Sequence, residues 1–118
     1  MSDFEELALG HLHTCGLTNG TARCWGNNEY GQCTVPAVTG GWKSLTSVQV
    51  HTCGILLADN SARCWGQCGS GQCTVPAVTG GWKSLAAGLD HTCGVTKLNS
   101  TTLCWGSNGN GQCTVPKA

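Results

Sequence analysis

Three phrases occur three times along the chain, and that repetition restricts the fold more than any other feature. The first copy carries His13-Thr14-Cys15-Gly16, Cys24-Trp25-Gly26 and Gly31-Gln32-Cys33-Thr34-Val35-Pro36. The second carries His51 to Gly54, Cys64-Trp65-Gly66 and Gly71 to Pro76. The third carries His91 to Gly94, Cys104-Trp105-Gly106 and Gly111 to Pro116. Cys24, Cys64 and Cys104 are spaced 40 residues apart. A period of that length, made of short β-prone runs punctuated by Gly and Trp and free of helical periodicity, predicts propeller blades of four strands each. The expected fold is all-β, three tandem four-stranded blades stapled by disulfides, over residues 1–41, 42–81 and 82–118. Such an array is stabilised through its repeat interfaces rather than one central core.

Each blade is expected to open on a strand headed by an aromatic residue: Phe4 to Gly10, Trp42 to Val48 and Trp82 to Gly88. The His-Thr-Cys-Gly phrase falls on the second strand and the Cys-Trp-Gly phrase on the third. The Gly-Gln-Cys-Thr-Val-Pro stretch is expected as an outer strand, because Pro36, Pro76 and Pro116 cannot donate to a ladder and suit an edge. Asn19-Gly20 signals a two-residue type I′ hairpin. Centring the turn there sets Cys15 opposite Cys24; turns around Ala58-Asp59 and Leu98-Asn99 set Cys53 opposite Cys64 and Cys93 opposite Cys104. Opposed residues of an antiparallel pair have Cα atoms about 4.5 to 5.5 Å apart, a distance a disulfide accepts. Three cross-strand disulfides, 15–24, 53–64 and 93–104, are therefore expected.

Cys33, Cys68, Cys73 and Cys113 remain, with three pairings open. Cys68 lies near enough to Cys73 for a local bridge, which would leave Cys33 and Cys113 to bond between chains. Ten cysteines, even in number and at repeating positions, predict an oxidising compartment, extracellular or cell-surface. The opening Met1-Ser2-Asp3-Phe4-Glu5-Glu6 has neither the basic nor the apolar region of a signal peptide.

Charged residues are 10% of the chain against roughly 25% in ordinary domains, and the net charge is zero. With no basic stripe, nucleic acid is not an expected partner. No apolar run approaches the roughly 20 residues of a membrane span, so no insertion is expected. Catalysis needs an acid, base or nucleophile placed once in a pocket, whereas every His but His11 recurs in each copy. No catalytic residue and no cofactor are expected. His13 and Cys15 share a strand face, but no Cys-x-x-Cys pair of the zinc kind is present and each such Cys has an opposed partner. No metal site is expected, and the His reads as a link between blades. Trp25, Trp65 and Trp105 are candidate sugar-stacking aromatics, with packing between blades as the competing role. Asn19-Gly20-Thr21 and Asn99-Ser100-Thr101 are glycosylation sequons on equivalent hairpin tips, which Asn60-Ser61-Ala62 narrowly misses.

The phrases resemble the regulator-of-chromosome-condensation repeat family, whose blades carry a His-Ser/Thr phrase, a Trp-Gly and a Gly-Gln. Here these are His13, His51 and His91; Trp25-Gly26, Trp65-Gly66 and Trp105-Gly106; and Gly31-Gln32, Gly71-Gln72 and Gly111-Gln112. The resemblance implies a seven-bladed propeller family, of which this chain holds three blades. The family usually continues Gly-Gln-Leu-Gly, whereas this chain has Cys33, Cys73 and Cys113 followed by Thr-Val-Pro. The nucleotide-exchange activity of the founding member is therefore not carried over. The Cys-bearing form looks more like secreted or surface members, including propellers that inhibit other proteins. Gly-Gly-Trp-Lys-Ser-Leu is loosely similar to tectonin-type lectin repeats. Three blades cannot close a ring, and open interblade faces are association sites. Head-to-tail docking gives a ring or a filament. The expected function is a non-catalytic extracellular scaffold that self-assembles or completes a larger propeller. A carbohydrate-binding lectin and a protein-binding inhibitor are the alternatives. The expected partners are copies of the chain, other proteins or glycans.

Overall fold

Asn19 and Gly20 take positive φ angles of 50° and 79°, as a two-residue type I′ turn requires. They join β2 (His13–Thr18) to β3 (Thr21–Gly26). With β1 (Glu6–Leu9) these strands make an antiparallel sheet of order β1-β2-β3. The computed structural model describes residues 4–116, and two further sheets of the same order follow. They are β4 (Trp42–Val48), β5 (His51–Leu56) and β6 (Ala62–Gly66), then β7 (Trp82–Ala87), β8 (His91–Thr96) and β9 (Thr102–Gly106). The ends of the expected blades at residues 1–3 and 117–118 lie outside the described residues.

In the second and third sheets the β2–β3-type hairpin closes over four residues rather than two. Leu56 N–H donates to Ser61 O and Thr96 N–H to Thr101 O, both at 2.8 Å. Asn60 and Ser100 supply the positive φ, at 61° and 55°. The two extra residues are absorbed in the loop, so Cys15, Cys53 and Cys93 stand opposite Cys24, Cys64 and Cys104. The glycine after each of these cysteines leaves room for an aromatic ring. A Cβ on Gly54 would lie 2.5 Å from the Trp42 ring, and one on Gly94 would lie 2.6 Å from Trp82.

The expected fourth strand is not formed: each sheet has three strands among the described residues. From Gly31, Gly71 and Gly111 the chain makes a turn in which Thr34, Thr74 and Thr114 N–H donate to the glycine carbonyl, at 3.0, 3.1 and 3.1 Å. It then runs to the proline without a ladder. A turn at the start and a missing donor at the end leave too little extended backbone to pair. The segment packs by its side chains instead. Val35 and Val38 lie against one core cluster, built on Ala8, Cys15, Leu17, Trp42, Leu45 and Trp65; Val75 and Val78 lie against another, built on Ile55, Trp82 and Trp105. Each cluster draws residues from two consecutive blades, so the apolar core is the pair of joints between blades.

Candidate functional site

At each joint the sequence motifs meet in one hydrogen-bonded unit. His13 Nε2 of the first blade lies 2.9 Å from Thr52 Oγ1 of the second, and Thr52 donates to Gln32 O at 3.1 Å. The same carbonyl accepts the indole N–H of Trp65 at 3.0 Å. One joint further on, His51 Nε2 lies 3.1 Å from Thr92 Oγ1, Thr92 donates to Gln72 O at 2.8 Å, and Trp105 donates to it at 2.9 Å. Each threonine has one proton and gives it to the carbonyl, so the histidine must be the donor in the His–Thr bond. That fixes a neutral Nε2–H tautomer and leaves Nδ1 bare. Nδ1 of His13 and of His51 is buried without a partner. Burial lowers the pKa of His13 and brings His51 to about 4, with repulsion from His91 and His13 adding to the latter.

The glutamine side chain works locally. Gln32, Gln72 and Gln112 Oε1 accept the N–H of Tyr30, Ser70 and Asn110 at 2.9, 2.8 and 2.9 Å. This bond holds the loop so that, in the first two blades, the Gln main-chain carbonyl faces the next blade. The threonine and the glutamine carbonyl are the members of the unit that motif reading passes over. The recurrence of Thr beside each His was the available signal.

At the two ends of the stack the same polar groups find no hydrogen-bond partner among the described residues. On the first blade Thr14 and Trp25 occupy the places of Thr52 and Trp65; on the third, His91 and Gln112 occupy those of His13 and Gln32. Trp25 is 45% exposed against 8% and 9% for Trp65 and Trp105. Phe4, stacked on Trp25 at 5.3 Å, is 37% exposed against 3% and 1% for Trp42 and Trp82. Leu7 is 58% exposed where Leu45 is 9%. At the other end Gln112 and Cys93 are half-buried, whereas Gln32 and Cys53 are fully buried. Of the candidate sugar-stacking tryptophans, only Trp25 therefore presents its ring to solvent.

Disulfides join Cys15 to Cys24, Cys53 to Cys64 and Cys93 to Cys104, with Cα atoms 4.0 Å apart in each, all within one blade. A fourth joins Cys68 to Cys73, Cα atoms 5.2 Å apart, and Cys33 and Cys113 are free thiols. The fourth replaces a hydrogen bond. In the other blades Asn28 Oδ1 accepts from Cys33 N at 2.8 Å and Asn108 Oδ1 from Cys113 N at 2.7 Å. Asn19 and Asn99 are exposed on their hairpin tips. Among the described residues no group of three or more His, Cys, Asp or Glu side chains is placed to hold a metal ion. Nor is any helix there long and apolar enough to cross a membrane.

Residues 82–112 match the family model of the regulator of chromosome condensation (RCC1) repeat. No curated protein matches the sequence. Among solved structures, the CRINKLY WD40 ectodomain of the Arabidopsis thaliana receptor kinase ACR4 is 35% identical, with a TM-score of 0.67 over 87% of this chain and 36% of its own. The ectodomain of the Physcomitrella patens receptor kinase CR4 is 27% identical, with a TM-score of 0.70 over 87% of this chain and 30% of its own. Prp20p from Saccharomyces cerevisiae, described with its binding to Gsp1p and histones, is 20% identical, with a TM-score of 0.71 over 87% of this chain and 33% of its own. The chain spans about a third of the length of these structures. A matching repeat model, the propeller neighbours and two copies of one joint chemistry between three equivalent sheets agree: the chain is built of RCC1-like propeller repeats in a Cys-rich, disulfide-stapled form.

Proposed function

We propose that the chain is a non-catalytic propeller module of extracellular type that works by protein contact through the end faces of its blade stack. It would assemble there with copies of itself or with further blades. The carrying observation is that both end faces hold the polar contact groups of an interblade joint and that, among the described residues, none of these is hydrogen-bonded. Four disulfides and the likeness to two receptor-kinase ectodomains support an oxidising, extracellular setting. The binding of Prp20p to Gsp1p and histones supports contact rather than catalysis as the mode of action. N-linked sugars on Asn19 and Asn99 belong to the same proposal, since both residues lie on exposed tips; the Asn99 Oδ1 also accepts from Thr96 and Thr101 Oγ1 within its turn.

The test is hydroxyl-radical footprinting of the unreduced protein taken from its own source, read by peptide mass spectrometry. The expected result is protection of Trp25 to the level of Trp65 and Trp105, with four bridges intact. A Trp25 oxidised several-fold faster than the other two would overturn the proposal. Protection that follows addition of a simple sugar would transfer the module to the lectins, with Trp25 and Phe4 as the stacking platform.

A further inference from the structure

The two ends of the stack are opposite halves of one contact. On the trailing side of a joint stand a His Nε2, a Gln carbonyl and mostly small residues: Ala8, Cys15, Leu17 and Ala22 in the first blade, and at the equivalent places Thr46, Cys53, Ile55 and Ala62 in the second. On the leading side stand a Thr hydroxyl, an indole N–H, a second aromatic and a leucine: Thr52, Trp65, Trp42 and Leu45, then Thr92, Trp105, Trp82 and Leu85. The third blade's open side repeats the trailing set with His91, Gln112, Ala86, Cys93 and Val95. The first blade's open side repeats the leading set with Thr14, Trp25, Phe4 and Leu7.

From this complementarity we infer that the occupant of each end face is the opposite end of a second copy of this chain, docked head to tail. This rests on the proposal that the end faces are binding surfaces, and it names the partner. His91 Nε2–H of one copy donates to Thr14 Oγ1 of the next, and Thr14 passes its own proton to the Gln112 carbonyl, which also accepts Trp25 Nε1–H. Donors and acceptors balance, as in the two joints inside the chain. Leu7, exposed in one copy, is covered by Ala86 and Val95 of the other, as Leu45 is by Ala8 and Leu17. A contact between unlike faces is heterologous, so it propagates until the rotation closes.

Two substitutions separate the faces: Leu7→Asp spoils only the leading face, and Ala86→Arg only the trailing face. Both side chains are exposed, so the fold and its four disulfides are expected to persist, verified by far-UV circular dichroism and thiol count. In sedimentation of the purified full chain at tens of micromolar, the unmodified protein is expected as multiples of 12.2 kDa. Each variant alone is expected at the single-chain mass, with at least a tenfold loss in association constant. Mixed one to one, they retain one intact pair of faces and should form a dimer holding one copy of each. An unmodified chain that stays monomeric, a variant that assembles as the parent does, or folded variants that ignore each other would each overturn the head-to-tail contact. A monomeric purified chain whose Trp25 is nevertheless protected in source material would remove the second copy as occupant and leave the proposed protein-contact function standing.

Discussion

Thr52 carries more of the fold than its size suggests, because one hydroxyl serves two blades. It accepts from His13 and donates to Gln32 O, both across a joint that is closed to water. Replacing it with valine keeps the shape, leaves His13 Nε2–H with Ser47 Oγ, 2.6 Å away, as its remaining partner, and takes one of two side-chain donors from the buried Gln32 carbonyl, a loss of about 0.5–1.5 kcal/mol. Thr14→Val removes the same hydroxyl where no described residue hydrogen-bonds to it, and should change monomer stability by less than about 0.5 kcal/mol. Urea unfolding of the two variants under non-reducing conditions checks the contrast, and equal effects would contradict the joint chemistry. Gly54 is a second single-atom test. A methyl there meets the Trp42 ring at 2.5 Å, so Gly54→Ala should lose about 1–3 kcal/mol through overpacking, read from the same transition. At this scale the histidines, tryptophans and cysteines were legible because they recur. Which partner each takes was not, since Thr–Gln pairing joins residues 20 positions apart through a main-chain carbonyl that leaves no mark in the side-chain pattern.

Hairpin registers could be read from sequence because a turn centre and an antiparallel ladder leave one free parameter, and Asn19-Gly20 fixes it. The same centring carried to the longer hairpins, where the two added residues enlarge the loop symmetrically and leave the cysteine rows opposed. The outer stretch misled for a physical reason. Gly-Gln-Cys-Thr-Val-Pro has the β-prone residues and edge proline of a strand, but the Gln side chain is spent on holding a turn and the carbonyls on the neighbouring blade. In that loop the second blade substitutes a covalent bond for the Asn–amide hydrogen bond of the other two. Asn28→Cys should therefore close onto Cys33, as Cys68 does onto Cys73. The native chain has two free thiols, Cys33 and Cys113. The variant, although it adds a cysteine, should show one by alkylation and intact mass. Three free thiols would mean that the first and second loops differ in more than this pair. Native Cys33, whose pKa burial raises, should alkylate slowly at neutral pH, because the thiolate is the reactive form.

The whole molecule is held by two joints that each bury a histidine in its neutral form, and this makes the stack sensitive to acid. In the unfolded chain His51 titrates at the usual value near 6.5; in the fold its pKa is about 4. Burial is the main cause, His91 and His13 press the same way, and Asp90 opposes them. His13 moves in the same direction. A depressed histidine pKa means the unfolded state binds more protons at intermediate pH. The stabilisation is thus fully present above about pH 6.5, falls as pH drops, and levels off below the folded pKa near 4. Each unit of difference corresponds to about 1.4 kcal/mol. Nδ1 of both joint histidines is buried without a partner; the Gln49 backbone offsets part of the cost of charging His13, but burial outweighs it. The disulfides cannot compensate, because all four lie within single blades and none crosses a joint. Acid should accordingly separate the blades while leaving each hairpin stapled. The expected observation is a urea midpoint that declines steadily between pH 6.5 and 4 with the thiol count unchanged. His51→Gln keeps a side-chain N–H donor for Thr92 but has no titrating nitrogen, so its midpoint should decline less steeply over that interval. A midpoint in the native chain that is flat from pH 6.5 to 4 would show that the joints do not depend on neutral histidine.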